Sequence, residues 1–358
     1  MFRLGGDKNN FKKFFKQQKL VSMKYLFELS KEHKTLPTAE VLSCLKAEDI
    51  LYNVIESNED VLVIESKNMT DYKIKRLADR LSMTFFVDKL LFSSPPSIDE
   101  IRRHASKHRI EEDGSIEIRC NNRSKTVDSQ KIIRELGEIY SRDRTVDLTK
   151  PDLTLRVSVT KLRVYVGLKK AEINRSQFEE RKVQYRPFFS PISLHPRLAR
   201  TLVNLSMIKR DEILLDPFCG TGGILIEAGL IGAETIGGDI DDRMIEGCRQ
   251  NLDHYRLRDY RLFCCDIGDI IKYVGQVDAV VTDLPYGKST TTKGEDIKQL
   301  YRRAFKNISM MLKRGGRAVI GLSNRDMMLL GCQCFSLVEY HVFRVHRSLT
   351  RYFAVYQN

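Results

Sequence analysis

The stretch Glu212-Ile213-Leu214-Leu215-Asp216-Pro217-Phe218-Cys219-Gly220-Thr221-Gly222-Gly223-Ile224 decides the fold. A short apolar run ends in an acid, turns through glycines, and enters an apolar helical run over Ile224 to Leu230. Strand, tight loop and helix in that order open a βαβ unit of an α/β sheet. Glycines let the loop backbone approach a ligand closely and leave amides exposed at a helix N-terminus. The spacing is not the pyrophosphate fingerprint G-x-G-x-x-G, and the loop lacks the lysine of a phosphate-binding loop.

Outward from this loop the βαβ spacing continues. Strands are expected at Glu212 to Leu215, Thr235 to Gly238, Tyr260 to Cys264, Val277 to Thr282, Arg317 to Leu322, Phe335 to Val345 and Thr350 to Tyr356, with helices between them and one before, at Leu198 to Leu205. Only a short polar turn near Arg347-Ser348 joins the last two strands, which predicts an antiparallel hairpin on a mostly parallel sheet. That addition separates class I methyltransferases from ordinary dinucleotide-binding folds.

Asp216, four residues before Gly220, suits the ammonium of S-adenosyl-L-methionine. Asp239 with Ile240, seventeen residues after Gly222, ends the second strand, where an acid can accept both ribose hydroxyls. Asp266 with Ile267 follows the third, placed to accept the adenine amine. Each acid alone fits a helix cap or turn. Three at successive strand ends, with the glycine loop, form a composite cofactor site.

After the fourth strand comes Thr282-Asp283-Leu284-Pro285-Tyr286-Gly287. An exocyclic amine is a poor nucleophile because its lone pair is delocalised into the ring. The Asp283 carboxylate and the Leu284 carbonyl can accept hydrogen bonds from such an amine and aim it at a methyl donor, Pro285 stiffens the turn, and Tyr286 can stack on a flipped base. The bland alternative is a strand followed by a proline turn and a core tyrosine. Whether Asp283 takes the proton or only orients the amine stays open.

Toward the N-terminus, two smaller α/β units are expected. Tyr25 to Leu29, Leu36 to Ala47, Leu51 to Ile55, Val61 to Ile64, Asp71 to Leu81 and Thr84 to Leu91 follow the β-α-β-β-α-β order of a ferredoxin-like domain over 24–93. Helix Ile98 to Lys107, strand Ile116 to Arg119, helix Ser129 to Arg142, and strands Leu153 to Val159 and Arg163 to Lys169 make the second, over 94–169. Residues 170–191 lose periodicity and are expected as a linker before a catalytic domain over 192–358. Residues 1–23 form an extension with six basic residues against one acid and Phe11, Phe14 and Phe15 interspersed.

A net charge of +13 and a pI near 9.3 favour a polyanionic partner, nucleic acid first. No apolar run has membrane length, no signal peptide opens the chain, and eight scattered cysteines fit a reducing cytosol, so a cytoplasmic protein is expected. Cys332-Gln333-Cys334 has the wrong spacing for a zinc pair and is read as core thiols, and no metal is expected.

The runs Asp216 to Ala228, Thr282 to Ser289 and Ser193-Leu194-His195-Pro196-Arg197-Leu198-Ala199-Arg200 resemble the archaeal tRNA guanine-10 N2-methyltransferases, over nearly everything from Lys24 onward. The resemblance implies a ferredoxin-like domain, a THUMP domain, a linker and a Rossmann-fold methyltransferase domain. It implies tRNA as partner and methylation of the guanosine 10 amine once, then twice. By position, Asp216, Phe218, Gly220, Thr221 and Gly222 are implied to hold the methionine moiety, with His195 and Thr201 lining that end, Asp239 and Ile240 the ribose, and Asp266 and Ile267 the adenine. Asp283, Leu284, Pro285 and Tyr286 are implied to hold guanine, with Asp283 also bordering the cofactor, although Leu284 stands where many amine methyltransferases have proline. Methylation of guanosine 6 or of ribosomal RNA, or a tRNA-binding module without turnover, stay open as alternatives. A monomer is expected because one chain carries both an RNA-holding and a catalytic part.

Overall fold

The protein is described from a computed structural model covering residues 22–190, 193–286, 295–346 and 349–358. Residues 1–21 of the basic extension, Pro191 and Ile192, Gly287 to Gly294 beyond the reactive turn, and the Arg347-Ser348 turn lie outside the described residues.

The N-terminal half runs β1 (Met23–Leu29), α1 (Leu36–Ala47), β2 (Tyr52–Ser57), β3 (Val61–Ser66), α2 (Asp71–Arg80), β4 (Thr84–Ser94), α3 (Ile98–Ala105), β5 (Ile116–Asn122), α4 (Ser129–Tyr140), β6 (Leu153–Val159) and β7 (Val164–Glu172). These seven strands form a single sheet in the order β2-β3-β1-β4-β7-β6-β5. The two expected units are therefore welded through the antiparallel pairing of β4 with β7. Helices α1 and α2 bury Val41, Leu45, Ile74 and Leu77 against Phe27, Leu29 and Ile64. Helices α3 and α4 bury Ile101, Ile132 and Leu136 against Leu155, Val157 and Val166.

A short helix α5 (Ser176–Glu180) precedes α6 (Pro196–Leu205). Between them, Arg181 and Phe188 are tied to the C-terminal half. Arg181 lays both guanidinium arms on Glu227 at 2.9 and 3.0 Å, and Phe188 exchanges backbone hydrogen bonds with the Asn251 side chain at 3.0 and 2.8 Å.

The C-terminal half continues with β8 (Ile213–Asp216), α7 (Gly223–Leu230), β9 (Glu234–Asp239), α8 (Asp242–His254), β10 (Tyr260–Cys264), β11 (Val277–Asp283), α9 (Ile297–Met311), β12 (Leu312–Leu322), α10 (Arg325–Gly331), β13 (Ser336–His346) and β14 (Leu349–Gln357). Its sheet order is β10-β9-β8-β11-β12-β14-β13, parallel through β12 and antiparallel for the last two. Alternation along the strands feeds two cores. Leu214, Ala279, Val281 and Val319 pack under α6, α7 and α8, while Leu215, Val280, Ile320 and Tyr356 pack under α9 and α10. Chain reversal between β8 and β11 opens a crevice at their carboxyl ends, where such sheets place ligands.

The two halves meet across α1, α2 and α6. Glu40, fully buried, accepts from Ser82 N and Oγ, Met83 N and the Asn204 side chain, the last at 2.9 Å. Arg80 donates to Glu48 at 3.1 Å and to the Ile208 carbonyl at 2.8 Å. Satisfied buried polar groups of this kind fix one relative placement of two bodies.

Candidate active site

A cleft of ≈ 380 Å³ sits at the carboxyl ends of β8, β9, β10 and β11. Asp216, Phe218, Gly220, Thr221, Asp239, Ile240, Asp266, Ile267, Asp283, Leu284, Pro285 and Tyr286 all line it, although they come from four separate strand ends.

The glycine loop is shaped by two left-handed residues, Gly220 at φ +49° and Gly222 at φ +79°. Gly222 is not a lining residue. A Cβ there would stand 2.6 Å from Cys248 Sγ on α8, so this glycine lets the loop close onto the helix behind it. Asp216 sits beneath the loop at 1 % exposure, accepting from Thr282 Oγ1 at 2.7 Å and from the Phe218 amide at 3.2 Å. Burial pushes its carboxyl up to about 7, Thr282 and the Phe218 amide oppose the shift, and Asp239 and Asp283 add to it. Asp239 accepts from the Gly220 amide at 3.0 Å and the Asp241 amide at 2.9 Å, and burial raises it as well. Among the described residues no cation stands within ion-pair distance of Asp216 or Asp239. Such a cradle fits a ligand that brings its own positive charge and hydroxyl donors.

Asp266 is differently placed. Arg303 of α9 donates to both its oxygens at 2.5 and 3.1 Å and with its other edge to Glu295 at 2.9 and 2.6 Å. The Asp266 carboxyl consequently lies below the usual range, held there first by the Arg303 hydrogen bonds.

At the far wall Asp283 ends β11 with its side chain 16 % exposed. Gly321 of β12 lies opposite it in register, and a Cβ on Gly321 would come within 2.2 Å of Asp283 Oδ1. The Leu284 amide donates to the Gly321 carbonyl at 3.1 Å, and Tyr301 Oη donates to the Pro285 carbonyl at 3.1 Å, so the turn is anchored at both residues. The Tyr286 hydroxyl donates to Asp283 Oδ1, and the Arg351 guanidinium lies 5.2 Å from the Tyr286 ring centre.

Besides Gly222, two expected residues lie outside the cleft lining. His195 is the N-cap of α6, its Nδ1 accepting from the Arg197 amide at 3.2 Å, and its outer edge faces Glu179 at 3.5 Å. Thr201 is fully buried, bonded to the Arg197 carbonyl and, at 2.9 Å, to Ser82 Oγ of the N-terminal half. His195 caps the start of α6 and faces α5, whereas Thr201, further along α6, faces Ser82 of the N-terminal half, so neither turns toward the cleft. Ser193, from the same run, does line the cleft and shares a 3.0 Å hydrogen bond with Thr221 Oγ1. Its place in the Ser193-Leu194-His195-Pro196 run was the available signal. Arg243, Met244 and Glu295 also line the cleft and carried no pattern of their own. Cys332 is exposed and so is not a core thiol, whereas Cys334 is half-buried and packs against the core of the C-terminal half; both follow α10.

Residues 183–352 match the RMKL-like methyltransferase domain family, and residues 98–169 match the THUMP domain family. The chain is 37% identical over 333 residues to a tRNA (guanine(10)-N2)-dimethyltransferase of Methanothermobacter thermautotrophicus, spanning 92% of this chain and 98% of that one. It is 31% identical to the protein of that description from Methanocaldococcus jannaschii, over 92% of this chain and 99% of the relative. Among solved structures, TrmN from Thermus thermophilus superposes with a TM-score of 0.54 at 20% identity, covering 94% of this chain and 100% of that one. At that identity the likeness concerns the fold alone.

Proposed function

The chain belongs to the tRNA (guanine(10)-N2)-dimethyltransferase family, and from that membership we propose that it methylates the exocyclic N2 amine of guanosine 10 in tRNA, once and then again, using S-adenosyl-L-methionine. The observation that carries this reading is end-to-end similarity to such enzymes in a chain whose Asp283-Leu284-Pro285-Tyr286 turn stands on the wall of a cation-seeking cleft.

S-adenosyl-L-methionine supplies an electrophilic methyl group on a sulfonium. Asp216, buried and without a counter-cation, would meet its ammonium. Asp239 would accept the ribose hydroxyls, and Asp266, already oriented by Arg303, the adenine amine. On the substrate side Asp283 and the Leu284 carbonyl take the two amine hydrogens, which turns the nitrogen lone pair out of the ring plane toward the methyl group. Loss of the nitrogen's proton leaves a neutral secondary amine that still carries one hydrogen, so Asp283 can hold it for a second transfer. The Tyr286 ring would stack on the flipped guanine. The THUMP-bearing half, held rigidly through Glu40, Arg80 and Asn204, would set how far from the tRNA end the cleft reaches.

The test is direct. Unmodified tRNA transcript is incubated with the protein and labelled S-adenosyl-L-methionine, then digested and sequenced by mass spectrometry. N2-methylguanosine and N2,N2-dimethylguanosine at position 10 support the reading; label at another nucleoside, or none, removes it.

A further inference from the structure

Arg351 sits in β14, 68 residues beyond Asp283 in the chain. Because β14 runs antiparallel to β12, its first residues lie at the carboxyl edge of the parallel strands, beside the reactive turn. Its side chain is 9 % exposed, its Nη1 stands 3.4 Å from Asp283 Oδ2, and its guanidinium lies along the Tyr286 ring. Among the described residues its Nε finds no hydrogen-bond partner. A long cationic side chain has thus been taken out of water and spent on one carboxylate and one aromatic ring, an arrangement that costs stability unless it serves the site. On the other side Gly321 leaves the space that Oδ1 occupies. Asp283 is therefore gripped at one oxygen and offered at the other, where the Tyr286 hydroxyl now rests.

Resting on the reading that Asp283 accepts the guanine amine, we propose that Arg351 is a positioning residue for methyl transfer: it keeps Asp283 an anion, with Oδ2 engaged and Oδ1 free to exchange the Tyr286 hydroxyl for the amine. A protonated Asp283 would present a hydrogen where an acceptor is required. Burial drives Asp283 toward that protonated form and Arg351 is the first influence opposing it. Of the other charged or titratable groups near Asp283, Tyr286 donates to it, whereas Asp216 from β8 and Tyr301 from α9 bring no positive charge. Among the described residues, Arg351 is the cation that faces Asp283.

Arg351→Met and Arg351→Lys are compared with the unaltered full chain for methylation of tRNA transcript at saturating cofactor, from about pH 5.5 to about pH 8.5. Arg351→Met is expected to move the acid limb of the rate profile upward by about 1 to 2 pH units, so that activity lost at neutral pH returns as pH rises. Arg351→Lys is expected to restore most of the original profile, and calorimetric affinity for S-adenosyl-L-methionine is expected to hold in both. If Arg351→Met melts below the assay temperature, Arg351→Gln, which keeps donors without charge, carries the same expectation. An uncharged variant whose acid limb stays in place, with rate lowered or not, overturns the proposal, as does a lysine variant no better than methionine. Asp283→Asn separates the two readings: an active Asp283→Asn enzyme overturns the role of Asp283 itself, whereas an inactive one beside an unmoved acid limb overturns only that of Arg351.

Discussion

Thr282 Oγ1 donates a 2.7 Å hydrogen bond to Asp216 Oδ1, tying the strand that ends in the reactive turn to the strand that ends in the cofactor loop. Both residues are buried, so the bond operates out of water. The two adjacent parallel strands bring Asp216 and Asp283, the acids proposed to meet cofactor and substrate, to one edge, with Thr282 directly before Asp283 bonded to Asp216.

Thr282→Val keeps the shape and removes that donor. A hydrogen bond to a charged acceptor contributes about 1.5 to 3 kcal/mol, so cofactor affinity should fall roughly tenfold or more. Titration calorimetry with S-adenosyl-L-methionine reads this directly, and an unchanged dissociation constant would show that Asp216 does not depend on Thr282.

Asp216, held up at about 7, should make binding of the proposed cofactor pH-dependent. Below that value the free protein carries it protonated, and meeting an ammonium requires the proton to leave. Affinity should weaken as pH falls, by at most about tenfold per pH unit, with proton release visible in buffer-dependent binding enthalpies. The sign for stability is opposite. A carboxyl raised by folding binds its proton more tightly when folded, so this contribution to stability of the free protein is present at low pH and lost as pH rises through about 7. Thermal melts with and without cofactor should diverge over that range.

Tyr286 combines a ring for stacking with a hydroxyl that rests on Asp283. Tyr286→Phe keeps the ring and should hold activity within a few-fold, whereas Tyr286→Ala should lose about 1 to 3 kcal/mol of base stacking, or roughly five- to 150-fold in kcat/KM for tRNA. Equal losses in the two variants would assign the hydroxyl an essential part.

Glu227, on the cofactor helix α7, is fully buried between Arg181 and Arg200, with Arg200 at 2.9 Å. Glu227→Ala would leave two guanidinium groups uncompensated and should destabilise the protein by about 3 to 5 kcal/mol in denaturant unfolding. A loss under about 1 kcal/mol would mean that water reaches the pair.

The succession of strands, the terminal hairpin and the strand-end acids were legible because hydrophobic period and glycine spacing are local signals; the spatial order of the strands was not. His195 and Thr201 misled because a polar residue at or in a helix reads alike whether it faces a cleft or, as here, caps α6 or meets Ser82 of the N-terminal half. Arg303 and Arg351 were invisible for the opposite reason. Each acts on an acid 37 or 68 positions away in the chain, through strand and helix placement that only tertiary structure supplies. The fusion of the two N-terminal units into one sheet was hidden likewise, since β4 pairs with β7 across the α3 to β6 segment.

The central claim is that the Asp283 turn acts on one amine at one site. A tRNA transcript with inosine in place of guanosine 10 lacks that amine and keeps the rest of the base. Labelled methyl incorporation should fall to background on this transcript while the unaltered one is methylated at position 10; undiminished incorporation on the inosine transcript would contradict the account.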